Sequence, residues 1–278
     1  MKNHRRHFAE NMVYYSHLQR SYYILSKIGE IINMRMRKKR YGNERLACLS
    51  PLVWQSDAEI WEELPACYAE SRPLCVEIGC GKGGFITALS EKESEYNYLA
   101  VEKITDVAVC AVEKYAEGRG LGHRAAHGGW QAPDGTVYPY GETWDIPHEL
   151  CGNVRFTVGD AARILAHLPE NSVQTIYANF SDPWPKKGYA NRRLTSPVFL
   201  AAYLRVLIPG GTFRFKTDND VLFAYSRETI AESPFTLTFC TEDLHHSARA
   251  ETNIMTEYER NFSEKGVPIK ALEARKSM

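Results

Sequence analysis

The stretch that decides the fold is "LCVEIGCGKGGF", Leu74 to Phe85: an apolar, strand-like run enters a turn with glycines at 79, 81, 83 and 84, and "GFITALSEKE" follows with a helical pattern. Glycines at such a junction permit positive φ and let a ligand approach the backbone closely. Outward from this point, further short apolar runs alternate with helix-length segments: "YLAVE" (98–102), "VRFTV" (154–158), "VQTIYANF" (173–180) and "TFRFKT" (212–217). Between them lie "TDVAVCAVEKYAE", with Thr105 as its expected N-cap, and "PVFLAAYLRVL", with Pro197 in the first turn and "IPGG" (208–211) as its stop. This alternation predicts an α/β fold with a parallel sheet and helices on both faces.

The 278 residues are 44% hydrophobic and 24% charged, which suits one globular α/β domain with additions. No stretch of 18 apolar residues and no secretory signal is readable, so the expectation is a cytoplasmic protein without a membrane partner. Seven widely spaced cysteines without a C-x-x-C pair argue against a disulfide framework or a zinc knuckle and read as thiols, most of them packing residues. His123 and His127 stand four apart in a glycine-rich stretch with no third ligand at a telling distance, so no metal is expected. Net charge is zero, but residues 1–45 hold eleven Lys/Arg against three Asp/Glu. A basic arm, "RMRKKR" (35–40), on an acidic body is one way to bind phosphates while keeping overall neutrality, and a solvated charge run is the other reading. Residues 1–33 read as an extension, with Met34 and Met36 as possible starts, and 34–73 as the arm and lead-in to a domain at 74–278. Residues 119–152, rich in Gly and Pro, read as a long loop or small hairpin inserted into that domain.

The glycine turn matches G-x-G-x-x-G through Gly79, Gly81 and Gly84, so a dinucleotide fold has to be weighed. Three acids favour S-adenosylmethionine instead. Glu77 would oppose a pyrophosphate but favours a sulfonium or an α-amino group. Glu102, at the second strand's tip, suits ribose hydroxyls, and Asp160, at the third strand's tip, suits an adenine amino group. Each alone also reads as a strand-end acid capping the next helix; three at consecutive strand ends point to a ligand, because open α/β sheets bind ligands there.

In "SDPWPKK", Pro183 and Pro185 fix their own φ and push Asp182 and Trp184 toward extended geometry. Such a stiff run leaving the fourth strand holds the Asp182 carboxylate beside the cofactor, with Trp184 as an aromatic face and Lys186 as a donor. The order acid, proline, aromatic resembles the [DN]-P-P-[YF] site of enzymes that methylate amines of nucleic-acid bases.

"MRMRKKR", "EIGCGKGGF", "NFSDPWPKKGYANRRLT", "FKTDND" with "LFAYS", and "NIMTEYERNFSEKGVPI" occur in that order. Together they resemble the bacterial tRNA (guanine-N7-)-methyltransferase family from about Met34 to the C-terminus, interrupted near 119–152. The resemblance implies a Rossmann-like class I methyltransferase with a mostly parallel seven-stranded sheet, and transfer of methyl from S-adenosylmethionine to N7 of a guanine in the variable loop of tRNA. It further implies that Glu77, Glu102, Asp160 and Asp182 bind the cofactor beside the turn of Gly79, Gly81 and Gly83. Asp182 is also given a catalytic role. Lys186, Asp218 and the segment Thr256, Glu257, Tyr258, Glu259 are implied to contact substrate.

Guanine N7 carries no proton, so attack needs no general base, and Asp182 reads as a positioning group. Asp218 and Glu259 suit the Watson–Crick edge of guanine as acceptors. Arg35, Arg37, Lys38, Lys187, Arg192 and Arg193 suit backbone phosphates. Where members usually carry further basic residues, this chain has Gly188, Tyr189 and Asn191, so RNA affinity there is expected to be weaker or shared with the arm. Other readings are a methyltransferase on another acceptor, a dinucleotide-dependent oxidoreductase and a non-catalytic RNA-binding protein. The first leaves "TEYERNFSEKG" and the basic arm without a role; the second predicts no S-adenosylhomocysteine binding; the third predicts decay in site residues that are intact. Monomer and homodimer both stay open.

Overall fold

The structure is a computed structural model that describes residues 38–54 and 64–278. Lys39–Met278 form one compact unit, and Lys38, which closes the preceding unit, is exposed. The expected extension 1–33, with Arg35 and Arg37 of the basic run, lies outside the described residues.

In chain order the elements are α1 (Gly42–Cys48), β1 (Leu74–Ile78), α2 (Gly84–Lys92), β2 (Asn97–Glu102) and α3 (Thr105–Gly118). Three short strands follow, β3 (His123–Arg124), β4 (Trp130–Gln131) and β5 (Val137–Tyr138). Then come β6 (Val154–Val158), α4 (Ala161–His167), β7 (Val173–Asn179), α5 (Pro197–Val206), β8 (Leu207–Thr217), α6 (Asp220–Ala231), β9 (Phe235–Thr241), α7 (Glu257–Ser263) and β10 (Lys270–Lys276). The main sheet has seven strands in the order β6-β2-β1-β7-β8-β10-β9. β10 alone runs antiparallel to its neighbours, so the Rossmann-like, mostly parallel architecture is as expected. The chain steps outward from β1 through β2 to β6, then returns to the far side of β1 with β7. That reversal opens a crevice at the C-terminal ends of β1 and β7, where open α/β sheets bind ligands.

Strand alternation sorts the core into two layers. Val76, Ile78, Leu99, Val101, Ile176, Ala178, Phe213 and Phe215 face α4, α5 and α6. Cys75, Tyr98, Ala100 and Tyr177 face α1, α2 and α3, where Cys48, Cys80 and Cys151 also pack. By the same alternation Glu77, Asn179 and Lys216 lie on the second face, and β7 pairs Asn179 with Lys216 on β8. A row of polar side chains is thereby set under the crevice.

Several expectations are corrected. Thr105 is the first helical residue of α3 rather than its cap; Ile104 holds that place, and its N–H is taken by the Glu102 carboxylate at 2.9 Å. "IPGG" does stop α5, but as the start of β8: a side chain at Gly211 would meet the carbonyl oxygens of Ile208 and Gln174 at 2.9 and 3.1 Å, so only glycine lets the strand begin there. The inserted segment holds a three-stranded antiparallel sheet, β3-β4-β5, whose Trp130 and Trp144 are buried and whose Trp130 indole donates to the Leu121 carbonyl. His123 and His127 sit on a strand and in a turn, both exposed, so a four-residue spacing does not align them. Among the described residues no helix is long and apolar enough to cross a membrane.

Candidate active site

The turn after β1 is held open by its own hydrogen bonds: the N–H groups of Gly79 and Cys80 both donate to the Val101 carbonyl of β2, at 2.8 and 3.0 Å. Gly79, Gly81 and Gly83 all have positive φ, at 77°, 57° and 74°. At Gly83 a Cβ would lie 3.0 Å from that of Ala111 on α3, so glycine brings the two helices together; at Gly79 and Gly81 it would meet nothing within 4 Å. The turn therefore leaves an open cradle on its ligand side.

That cradle opens into a cleft of about 770 Å³ lined by Gly79, Glu102, Asp160, Ser181, Asp182 and Trp184 among others. Glu77 is 2% exposed and is joined to the cleft through Asn179, one of its lining residues. Its Oε1 accepts from the Asn179 amide at 3.0 Å, whereas Oε2 is buried without a partner. Burial pushes its carboxyl up to about 8, against the opposing pull of Asn179 and Lys216. A buried acceptor with a vacant oxygen is the feature an ammonium group satisfies. Glu102 accepts from Gly81 N–H and Ile104 N–H at 3.0 and 2.9 Å, and burial raises its carboxyl; two backbone donors leave lone pairs for hydroxyls. Asp160 caps α4 through Ala162 N–H at 3.0 Å and meets Lys103 Nζ at 2.8 Å, which holds its carboxyl below the usual range. It lines the cleft and also caps the next helix. Cationic and hydroxylic ends of S-adenosylmethionine thus find fitting acceptors in Glu77 and Glu102.

Asp182 is exposed at the mouth of this cleft. The loop behind it is not extended throughout: Trp184 has φ of 41°, in the left-handed region, against the expectation from Pro185. Arg193 accounts for the difference. It is 9% exposed, donates from Nε to the Pro183 carbonyl at 3.1 Å and from Nη2 to the Trp184 carbonyl at 3.1 Å, and covers the Tyr225 ring at 4.3 Å. With its side chain buried and Nε and Nη2 engaged by the loop, the expected phosphate contact at Arg193 is corrected to a clamp that stores the backbone strain. Arg192 lies over the rings of Trp184 and Tyr189, at 4.9 and 4.6 Å, and remains exposed with Lys186 and Lys187. Tyr189 thus builds an aromatic support for a neighbouring cation.

The segment Thr256 to Glu259 forms a capping box at the start of α7: Thr256 Oγ1 accepts from Glu259 N–H at 2.9 Å, and the Glu259 carboxylate takes the Thr256 N–H in return. Glu259 is fully buried and bonded to Lys216 Nζ and His245 Nε2, both at 2.8 Å, and to Asn253 Nδ2 at 2.6 Å. Burial works against its charge, yet these partners hold its carboxyl below the ordinary value. With its oxygens engaged, Glu259 anchors the α7 entrance instead of presenting a free acceptor to guanine. Tyr258 is presented: 42% exposed, it packs on Phe180 and Phe262, and burial with the charges of Asp218 and Asp182 pushes its hydroxyl up to about 12. Asp218 itself is raised by burial, with Lys270 opposing. Glu257, exposed, lies 3.8 and 3.6 Å from Lys82 and Lys114. The structure therefore gathers Glu102, Asp160 and Asp182 in one cleft, with Glu77 joined to it through Asn179, and sets Tyr258 within reach of the charges of both Asp182 and Asp218. Asn179, Ser181 (its buried hydroxyl also unpartnered), Lys216, His245 and Asn253 were missed from sequence. T-x-x-E at 256–259 was the readable signal for the capped helix; nothing local marks the others.

The profile of a family described as a putative methyltransferase matches residues 71–272. A protein of Listeria monocytogenes serotype 4a (strain HCC23), named tRNA (guanine-N(7)-)-methyltransferase, is 36% identical over 245 residues, covering 87% of this chain and 98% of its own. One of the same name from Bacillus cytotoxicus is 35% identical over 245 residues, covering 87% and 97%. Among solved structures, the 16S rRNA methyltransferase KamB superposes with a TM-score of 0.50 at 15% identity, over 81% of this chain and 95% of that one, a likeness of fold alone. Relatives of this closeness along nearly their whole length place the chain in the tRNA (guanine-N(7)-)-methyltransferase family.

Proposed function

We propose that this chain transfers a methyl group from S-adenosylmethionine to N7 of a guanine in the variable loop of tRNA. The observation that carries the reading is the unpartnered Oε2 of buried Glu77, bonded through its other oxygen to Asn179 in the lining of a cleft that Asp182 also lines, in a chain of this family. Bound there, S-adenosylmethionine supplies an electrophilic methyl group on a sulfonium. Glu77 holds the cationic amine, Glu102 the ribose hydroxyls, and Asp160 reaches the adenine amino group from the rim. Asp182 balances positive charge on the nucleophile's side of the cleft and accepts no proton, since N7 has none to give. Asp218 accepts from the Watson–Crick edge of guanine, and Tyr258 offers a ring on which the base rests. Thr256 and Glu257 frame that pocket from the α7 end.

A base whose N7 must enter this cleft leaves its stack, at least in part. Lys186, Lys187 and Arg192 neutralise phosphates around it, and Lys38 with the arm before it adds positive charge for the same RNA. A cytoplasmic setting goes with this substrate. The test is incubation of purified protein with labelled S-adenosylmethionine and an unmodified tRNA transcript, digestion to nucleosides and mass spectrometry against 7-methylguanosine. That nucleoside is the expected product. Methyl transfer to another nucleoside, or to none with S-adenosylhomocysteine still bound, overturns the reading.

A further inference from the structure

Tyr41 stands where local rules disfavour it. It occupies the N-cap of α1, a place for Ser, Thr, Asp or Asn, and makes no side-chain cap; its φ is 61°, a region that favours Gly or Asn. A residue that breaks two local rules with no local gain points to function. Its ring is 45% exposed, with the Arg40 guanidinium 4.9 Å above it and the Tyr140 ring of the inserted segment 5.7 Å away. Arg124, also from the insertion and exposed, reaches the Tyr140 hydroxyl at 3.5 Å. The buried Glu113 is held by Nε and Nη2 of Arg45 at 2.8 and 2.5 Å and lies 4.0 Å from Arg124 Nε, so Arg124 has only a distant, shared anion beside it and turns its exposed guanidinium to solvent. Asp106 is turned to the Lys39 N–H at 2.7 Å.

That last bond also locates the patch. Asp106 lies in the first turn of α3, just past Glu102, so Arg40 and Tyr41 sit at the edge of the sheet where the cleft opens. The insertion is fastened to α1 there by Gly141 N–H to the Glu44 carbonyl and Trp144 N–H to the Cys48 carbonyl, at 3.0 and 3.2 Å. We infer that Arg40, Tyr41, Tyr140 and Arg124 form a stacking platform for an unpaired stretch of the RNA substrate, with the insertion supplying half of it. Cations interleaved with exposed rings match single-stranded RNA, whose splayed bases stack on aromatic or guanidinium planes while phosphates meet the charges. Paired RNA keeps its bases inside the helix and cannot use the rings. The inference rests on tRNA being the substrate.

The test measures binding of the full-length protein to a labelled RNA hairpin with a seven-nucleotide loop and to a blunt duplex of the same stem. The variants are Tyr41→Asn, which tolerates the backbone conformation, Tyr140→Leu, which keeps apolar packing, and Arg124→Gln. The tyrosine variants are expected to weaken hairpin binding about five- to thirty-fold with duplex binding unchanged. Arg124→Gln should lower the salt slope by about one. The KM for tRNA rises in step, while kcat at saturating tRNA and S-adenosylhomocysteine affinity hold. Wild-type hairpin affinity in all variants, equal losses on hairpin and duplex, or a lower Tm with unchanged binding would each overturn the platform and leave a mere fastening. Because hairpin affinity is read without catalysis, a wild-type protein that binds through Tyr41 but makes no 7-methylguanosine sinks the proposed reaction and not this surface.

Discussion

Replacing Glu77 by Gln should make the ligand-free protein more stable and the cofactor complex weaker, and the two signs together test the site. The side chain is buried, and its folded carboxyl ionises near 8 against an ordinary value of 4.5. Between those values the folded protein holds a proton that the unfolded chain has released. Stability therefore falls as pH rises from about 4.5 and reaches its full penalty above about 8. That penalty is at most on the order of 5 kcal/mol. Glutamine keeps the volume and can still accept from Asn179, but carries no charge to bury. At roughly 2–4 °C per kcal/mol for a domain of this size, the variant should melt up to about 10–20 °C higher at pH 8 and at the wild-type temperature near pH 4.5. The same change removes the charged partner of the cofactor's amine, worth about 1.5–3 kcal/mol, so S-adenosylhomocysteine should bind ten- to a hundred-fold more weakly. Scanning calorimetry across pH and titration calorimetry at pH 8 read both effects. A variant that melts lower at pH 8, or binds S-adenosylhomocysteine as tightly as wild type, would refute the assignment; a merely damaged fold cannot give the expected pair.

Three further outcomes follow from the geometry. Lys216→Met or Glu259→Gln alone leaves a buried charge without its partner and should cost about 3–5 kcal/mol in urea unfolding, whereas the pair changed together should cost clearly less than the sum; strict additivity would deny the coupling. Lys187→Gln should lower the salt slope of tRNA binding by about one, while Arg193→Gln should leave that slope alone and reduce kcat about ten- to a hundred-fold as the Trp184 turn relaxes. The opposite pattern would return Arg193 to the phosphates. Asp182→Ala should reduce kcat about 100-fold with S-adenosylhomocysteine affinity less affected, and unchanged single-turnover rates would take Asp182 out of the mechanism.

Residues 74 to 85 and the alternation after them were enough to read the sheet, the glycine turn and the carboxylates at three strand ends, because each is a short-range pattern: period two, a turn, an acid within two residues of a strand's end. The order of motifs was enough for the family. Folding decided what distance along the chain conceals. Glu259 and Lys216 are 43 residues apart, and Glu77 and Asn179 102 apart, yet strand register and the α7 cap bring them together and turn an expected substrate contact into an anchor. Arg192 and Arg193 are neighbours of one type in sequence, but the chain direction after Trp184 sends one to solvent over two rings and the other inward to two carbonyls. Likewise Tyr41 and Tyr140 meet only because the insertion folds back on α1. Composition and local pattern specify what each residue can do; which partner uses up that capacity is settled by burial and packing.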